Sequence, residues 1–160
     1  MIGAATAAAS SQQVLILEGK TAAERARLFM EAHYFDQRLK QNTLAFWRDN
    51  FWAWTGKRWE LLEDVAVRQE MLLFLEGGKK MVGGQPVPLQ PRTLEVDNAL
   101  KELKSIRYLP AETAQPSWIG PNCPFKDINE LIACQNGLLD LQTRQLHDHT
   151  PQFWSANVVD

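Results

Sequence analysis

Phe51-Trp52-Ala53-Trp54-Thr55-Gly56-Lys57-Arg58-Trp59 is the stretch whose reading decides the fold. Trp52 and Trp54 are two residues apart, which sets both indoles on one face of a strand. Thr55-Gly56-Lys57 has the composition of a turn, and residues 58–61 read as the returning strand. The aromatic content extends to both sides, from Leu44 to Leu62, and includes Phe46, Trp47 and Phe51. A β-hairpin therefore lies in the middle of the chain, and the flanking patterns are helical.

On the N-terminal side, Thr21-Ala22-Ala23-Glu24 has the form of a capping box, in which the Thr21 hydroxyl accepts from the Glu24 amide and Glu24 reaches back to Thr21. A helix is expected from there to about residue 34, with Leu28, Ala32 and Phe35 on its core side. On the C-terminal side, Asp64 is suited to cap a second helix over 65–75, where Val67, Met71 and Phe74/Leu75 form a stripe. Residues 77–91 hold four glycines and three prolines and read as a mobile loop. A third helix is expected over 94–108, with Val96, Ala99, Leu100, Leu103 and Ile106 inward and Pro110 ending it. Residues 111–125 read as another loop. Residues 131–141 and 145–149 read as a second hairpin around Gln142-Thr143-Arg144.

Composition bounds the function. The chain has 160 residues, 45% of them hydrophobic, and a net charge of −2. That is ordinary for a globular protein with its own core. The longest apolar run, Met71 to Leu75, is five residues, against about 20 for a membrane span. Residues 1–20, rich in Ala and Ser at their start, are expected to be a disordered tail or a cloning remnant. Met1 to Ser11 lack the basic start and apolar centre of a secretory signal. Cys123 and Cys134 are too few for a disulfide framework, which favours a reducing, cytoplasmic setting.

Catalytic and cofactor patterns in the sequence all have simpler readings. Gly19-Lys20-Thr21 resembles the end of a phosphate-binding loop, but Val14 stands where that loop needs its first glycine, and Thr21 is already suited to cap a helix. His147-Asp148-His149 places two imidazoles on one strand face, yet no Cys-x-x-Cys or His-x-x-x-His spacing accompanies them; a polar edge strand explains them as well. No Gly-x-Ser-x-Gly and no Asp-x-Asp pair occurs. No catalytic residue, metal ligand or cofactor is assigned.

The aromatic stretch carries more. From Arg38 to Glu60 there are five basic residues (Arg38, Lys40, Arg48, Lys57, Arg58) against two acidic ones, beside four tryptophans. Aromatic faces interleaved with cations can grip a nucleic-acid strand by stacking and phosphate contact. Equally, cross-strand indoles can pack a small core. The DNA-binding candidates here are Arg48, Trp52, Trp54, Lys57 and Arg58. Lys101, Lys104 and Arg107 on the third helix form a second candidate surface, although Asp97 is placed to pair with Lys101 on a solvated face.

The C-terminal stretch reads Ile132-Ala133-Cys134-Gln135-Asn136-Gly137-Leu138-Leu139-Asp140-Leu141, then Thr143, Leu146 and His149-Thr150-Pro151-Gln152-Phe153-Trp154-Ser155-Ala156-Asn157. It resembles the "Asn-Gly-Leu-Leu-Asp-Leu … His-Thr-Pro-x-Phe-Phe-Ser-x-Asn" signature found just before the superfamily III helicase domain in phage, plasmid and poxvirus primase–helicases. The Phe51–Trp59 stretch is similar to that family's aromatic hairpin. The resemblance spans roughly residues 22–160.

It implies a non-catalytic module of a mobile-element primase–helicase, supporting replication by contacting DNA or arranging helicase subunits. The competing class is a structural collar without DNA contact. The implied partners are DNA, bound weakly and non-specifically, the helicase domain of the same chain, and further copies through a parent with ATPase activity; no membrane is implied. The expected architecture is a small α+β domain over 21–150, with about three helices and two antiparallel hairpins. A winged-helix-like arrangement, with the Trp52/Trp54 hairpin as wing, is one these elements allow. Residues 151–160 are expected to begin a linker, with Phe153 and Trp154 as anchors for the next domain or for this domain's own core.

Overall fold

The computed structural model describes residues 13–159; the first twelve residues of the expected tail lie outside them. The chain is α+β. It runs α1 (Ala22–His33), β1 (Phe35–Asp36), β2 (Gln41–Asn42), β3 (Leu44–Trp47), β4 (Asn50–Trp54), β5 (Trp59–Leu62), α2 (Asp64–Gly77), β6 (Lys79–Val82), β7 (Gln85–Pro88) and α3 (Thr93–Ile106). It continues with β8 (Tyr108–Leu109), β9 (Ser117–Trp118), a 3-10 turn (Ile128–Glu130), β10 (Leu131–Cys134), β11 (Gly137–Asp140), β12 (Gln145–His147) and β13 (Phe153–Trp154).

The capping box forms: Thr21 N–H donates to Glu24 Oε2 at 2.8 Å and Glu24 N–H to Thr21 Oγ1 at 3.2 Å. The buried side of α1 is not the expected one. Ala26 and Phe29 are fully buried while Ala32 is exposed, because α1 lies along α3 and Arg25 turns inward to pair with Glu95 at 2.9 Å. Val67, Met71 and Leu75 of α2 and Val96, Ala99 and Leu103 of α3 face the core as their spacing implies.

The four-stranded sheet has the order β5-β4-β3-β8, with β8 parallel to β3 and the rest antiparallel. Strand alternation divides it into two faces. Leu44 and Phe51 face the three helices and share their core; Ala45, Trp52 and Trp59 face the other way. Trp52 and Trp54 thus lie on an inner strand, so the wing expected of their hairpin reduces to its exposed β4–β5 tip.

Other expectations are corrected as well. Residues 13–20, expected as part of the tail, join the fold: Leu17 is fully buried and its N–H donates to Lys79 O at 3.0 Å. A Cβ on Gly78 would run into the Leu17 side chain, so glycine permits that approach. Residues 79–88, expected as a loop, form the β6–β7 hairpin. Its two-residue turn, Gly83-Gly84, has φ of 56° and 78°, the positive pair that a tight hairpin turn needs; Pro86 and Pro88 are tolerated because the ribbon has only two strands. Residues 131–141, expected as one strand, fold back at Gln135-Asn136 into β10 and β11, and β12 completes a three-stranded sheet.

Phe153 and Trp154, expected as anchors for the next domain or for this domain's own core, take the second role. Pro151, Phe153, Trp154 and Ser155 are buried, and β13 pairs with β9. Among the described residues no helix is long and apolar enough to cross a membrane.

Candidate nucleic-acid interface

Trp154 is the centre of the second sheet face. It is wholly buried, with ring centroids 5.5 Å from Trp47, 5.6 Å from Trp52 and 5.0 Å from Trp59. Trp59 donates its backbone N–H to Ser155 O at 2.9 Å and its indole N–H to Pro151 O at 3.1 Å. Trp47 donates its indole N–H to Pro110 O at 3.1 Å. Mostly edge-to-face contacts of this kind add to the burial of the rings. Trp52 and Trp54 both pack into this cluster and are half-buried; neither offers two open ring faces for base stacking.

The polar residues of the C-terminal stretch build turns. Asp140 Oδ1 accepts from the amides of Gln142 at 2.9 Å and Thr143 at 3.4 Å. Partial desolvation raises its pKa, but hydrogen bonds from Thr143 and Gln142 outweigh that, with help from His147, and leave the carboxyl below its ordinary value. Thr150 Oγ1 donates to Gln41 Oε1 at 2.9 Å and Ser155 Oγ accepts from Asn157 N–H at 3.2 Å. Gly137 has φ 155°, and a Cβ there would meet the His147 carbonyl.

The eight DNA-binding candidates do not converge on one surface. Arg48 sits in the β3–β4 turn, where Arg48 and Asp49 have φ of 48° and 61°. Its guanidinium lies 4.3 Å over the Trp47 ring and donates to Ala111 O at 2.9 Å. Lys57 and Arg58 project at the opposite end of β4. Lys57 Nζ donates to Gln135 Oε1 at 2.6 Å, which joins this tip to the β10–β11 turn, and Arg58 pairs with Glu60 at 2.7 Å. Both are exposed, beside a shallow cavity of about 230 Å³ shared with Gln135 and Val158.

On α3, Lys101 is exposed and forms no ion pair among the described residues. Its expected partner, Asp97, instead pairs with Arg68 of α2 at 3.0 Å. Lys104 is committed to Asp64 at 2.7 Å and lies over the rings of Phe46 and Phe51 at 5.1 and 5.5 Å. Arg107 folds inward and donates from Nε to Leu44 O at 2.7 Å; burial pulls its pKa down. It lines a polar cleft together with Lys40, which the sequence reading counted in the local charge without singling it out. No signal in the sequence joins residues 67 positions apart; their proximity follows from β8 pairing with β3.

Among the described residues no group of three or more His, Cys, Asp or Glu is arranged to hold a metal ion. His147 instead meets the Phe125 ring edge-on at 5.0 Å. No family model matches the chain, and no curated protein matches its sequence.

Proposed function

We propose that this chain is a non-catalytic module of a mobile-element primase–helicase that supports replication by contacting DNA, with the β4–β5 tip as the contact. One observation carries the reading. The two stretches on which the resemblance rests, the aromatic hairpin and the C-terminal signature, pack as a single unit through Trp59, Pro151 and Trp154. A sequence kept for that unit would show both motifs together. The signature's polar residues hold turns, which is what a scaffold requires and an active site does not. The helicase and its ATPase activity would belong to other residues of the parent protein, and further copies would join through that parent.

Lys57 and Arg58 are the exposed cations at the edge of this unit. With a net charge of −2 over the chain, binding is expected to be non-specific, with Kd about 1 μM or weaker. The pairing of Lys57 with Gln135 and of Arg58 with Glu60 favours a second reading, a collar that arranges helicase subunits with no DNA contact. Fluorescence anisotropy of labelled single- and double-stranded oligonucleotides at low salt separates the two. Binding that weakens in Lys57→Ala/Arg58→Ala supports the DNA reading; no binding of either oligonucleotide leaves the collar.

A further inference from the structure

The cleft beside Arg107 has a chemistry the tip lacks. Four segments wall it: residues 40–42, Arg107 at the C-terminal end of α3, residues 119–121 and residues 151–152; its volume is about 360 Å³. Small-molecule sites span about 300–1,000 Å³. Each wall is held in place. Thr150 Oγ1 bonds Gln41 at 2.9 Å, Ile119 N–H donates to Gln152 O at 2.8 Å, and Phe46 N–H donates to Arg107 O at 2.8 Å. Gly120 lies so close to Gln152 that an added Cβ would come within 2.5 Å of its Cδ.

The electrostatics are one-sided. Arg107 and Lys40 both line the cleft, three amide side chains (Gln41, Asn42, Gln152) accompany them, and no carboxylate does. Arg107 spends Nε on Leu44 O, and among the described residues neither carboxylate nor carbonyl is bonded to its terminal nitrogens. Lys40 is held at φ 54°, and among the described residues its ammonium reaches only Gln37 Oε1, at 3.4 Å. Arg107 is half-buried, and its terminal N–H groups, without a protein partner among the described residues, are available to an anion in the cleft. Its planar fork of donors matches phosphate oxygens two at a time.

We propose that this cleft is a phosphate-binding site, in which the terminal N–H groups of Arg107 and the ammonium of Lys40 take the phosphate oxygens and the surrounding amides order the rest. The phosphate comes either from a nucleic-acid backbone or from a free phosphate compound. In the first case the inference rests on the DNA reading above; in the second it stands without it.

The test is an NMR titration of the isotopically labelled 160-residue chain, following Arg107 Nε–H and Gly120 N–H. Inorganic phosphate is compared with sodium chloride at equal ionic strength, and both with an oligothymidylate lacking terminal phosphates. A saturable shift with phosphate and none with chloride is expected. Read at Gly120 N–H, it should disappear in Arg107→Gln and persist weakened in Arg107→Lys; read at both probes, it should weaken several-fold in Lys40→Gln, an exposed position. If the oligonucleotide moves the same resonances, the source is a strand. Lys40→Gln should then lower the slope of log K against log salt by about 0.7, the value for one phosphate contact on a single strand. If only inorganic phosphate moves them, the source is a free phosphate compound; an oligonucleotide that fails to bind at all then ends the DNA reading while the cleft site stands. The proposal is overturned if phosphate moves neither resonance, or if Lys40→Gln binds phosphate as wild type does. Oligonucleotide binding that persists while neither it nor inorganic phosphate moves the cleft resonances would leave the DNA reading intact and end this one.

Discussion

Trp59 donates its indole N–H to the carbonyl oxygen of Pro151 at 3.1 Å, across 92 positions of sequence. The bond ties the returning strand of the aromatic hairpin to the turn that carries Phe153 and Trp154 inward. Trp154, fully buried against three other indoles, is the plug this geometry positions. Trp154→Ala is expected to destabilise the chain by about 3–5 kcal/mol, the usual cost of emptying a tryptophan site, as read by denaturant unfolding. A cost below about 1 kcal/mol, the level of ordinary surface changes, would mean that the two stretches are not one unit.

Gly137 is a second test of the C-terminal signature as architecture. Its φ of 155° and the nearby His147 carbonyl leave no room for a side chain. Gly137→Ala should cost about 1–3 kcal/mol through backbone strain, read as a lowered midpoint of urea unfolding with an unchanged m value. An unaltered midpoint would show that the β11–β12 pairing adapts freely.

Acid should destabilise the fold through its carboxylates. The Thr21 amide and hydroxyl hold Glu24 below its ordinary 4.5, and the Arg92 amide and Arg25 guanidinium do the same for Glu95. A carboxyl whose pKa is lowered by folding adds stability above its unfolded value and loses it as pH falls through the folded one. Stability should therefore hold from neutral pH to about 5 and decline below about 4.5, with a shallower decline in Glu95→Gln. Unfolding midpoints measured from pH 7 to pH 3 decide this; the same decline in the variant and the wild type would remove Glu95 from the account.

What could be read from the sequence was local. The Thr21/Glu24 cap, the shared face of Trp52 and Trp54 and the inward stripe of α3 each follow from the period of one element. What could not be read depends on a partner distant in the chain. Leu17 belongs to the core because Lys79 offers it a backbone bond, and nothing in residues 13–20 announces that partner. Pro86 and Pro88 argue against a strand unless the strand is known to lie in a two-stranded ribbon. Asp97 at helical spacing from Lys101 was a plausible pair, but Arg68 on the neighbouring helix takes it. The candidate site divided in the same way. The exposure of Lys57 and Arg58 follows from their place in a turn, whereas the joint cleft of Lys40 and Arg107 depends on tertiary pairing.

The salt dependence of DNA binding tests the central claim most directly. The affinity of the 160-residue chain for an oligonucleotide would be measured across a salt series, beside Lys57→Ala/Arg58→Ala. These are surface changes expected to alter stability by no more than about 0.5 kcal/mol. The account predicts weak binding whose slope of log K against log salt falls by about 1–2 units in the double variant. A wild-type chain that binds no DNA at low salt, or a double variant with unchanged affinity and slope, would contradict it.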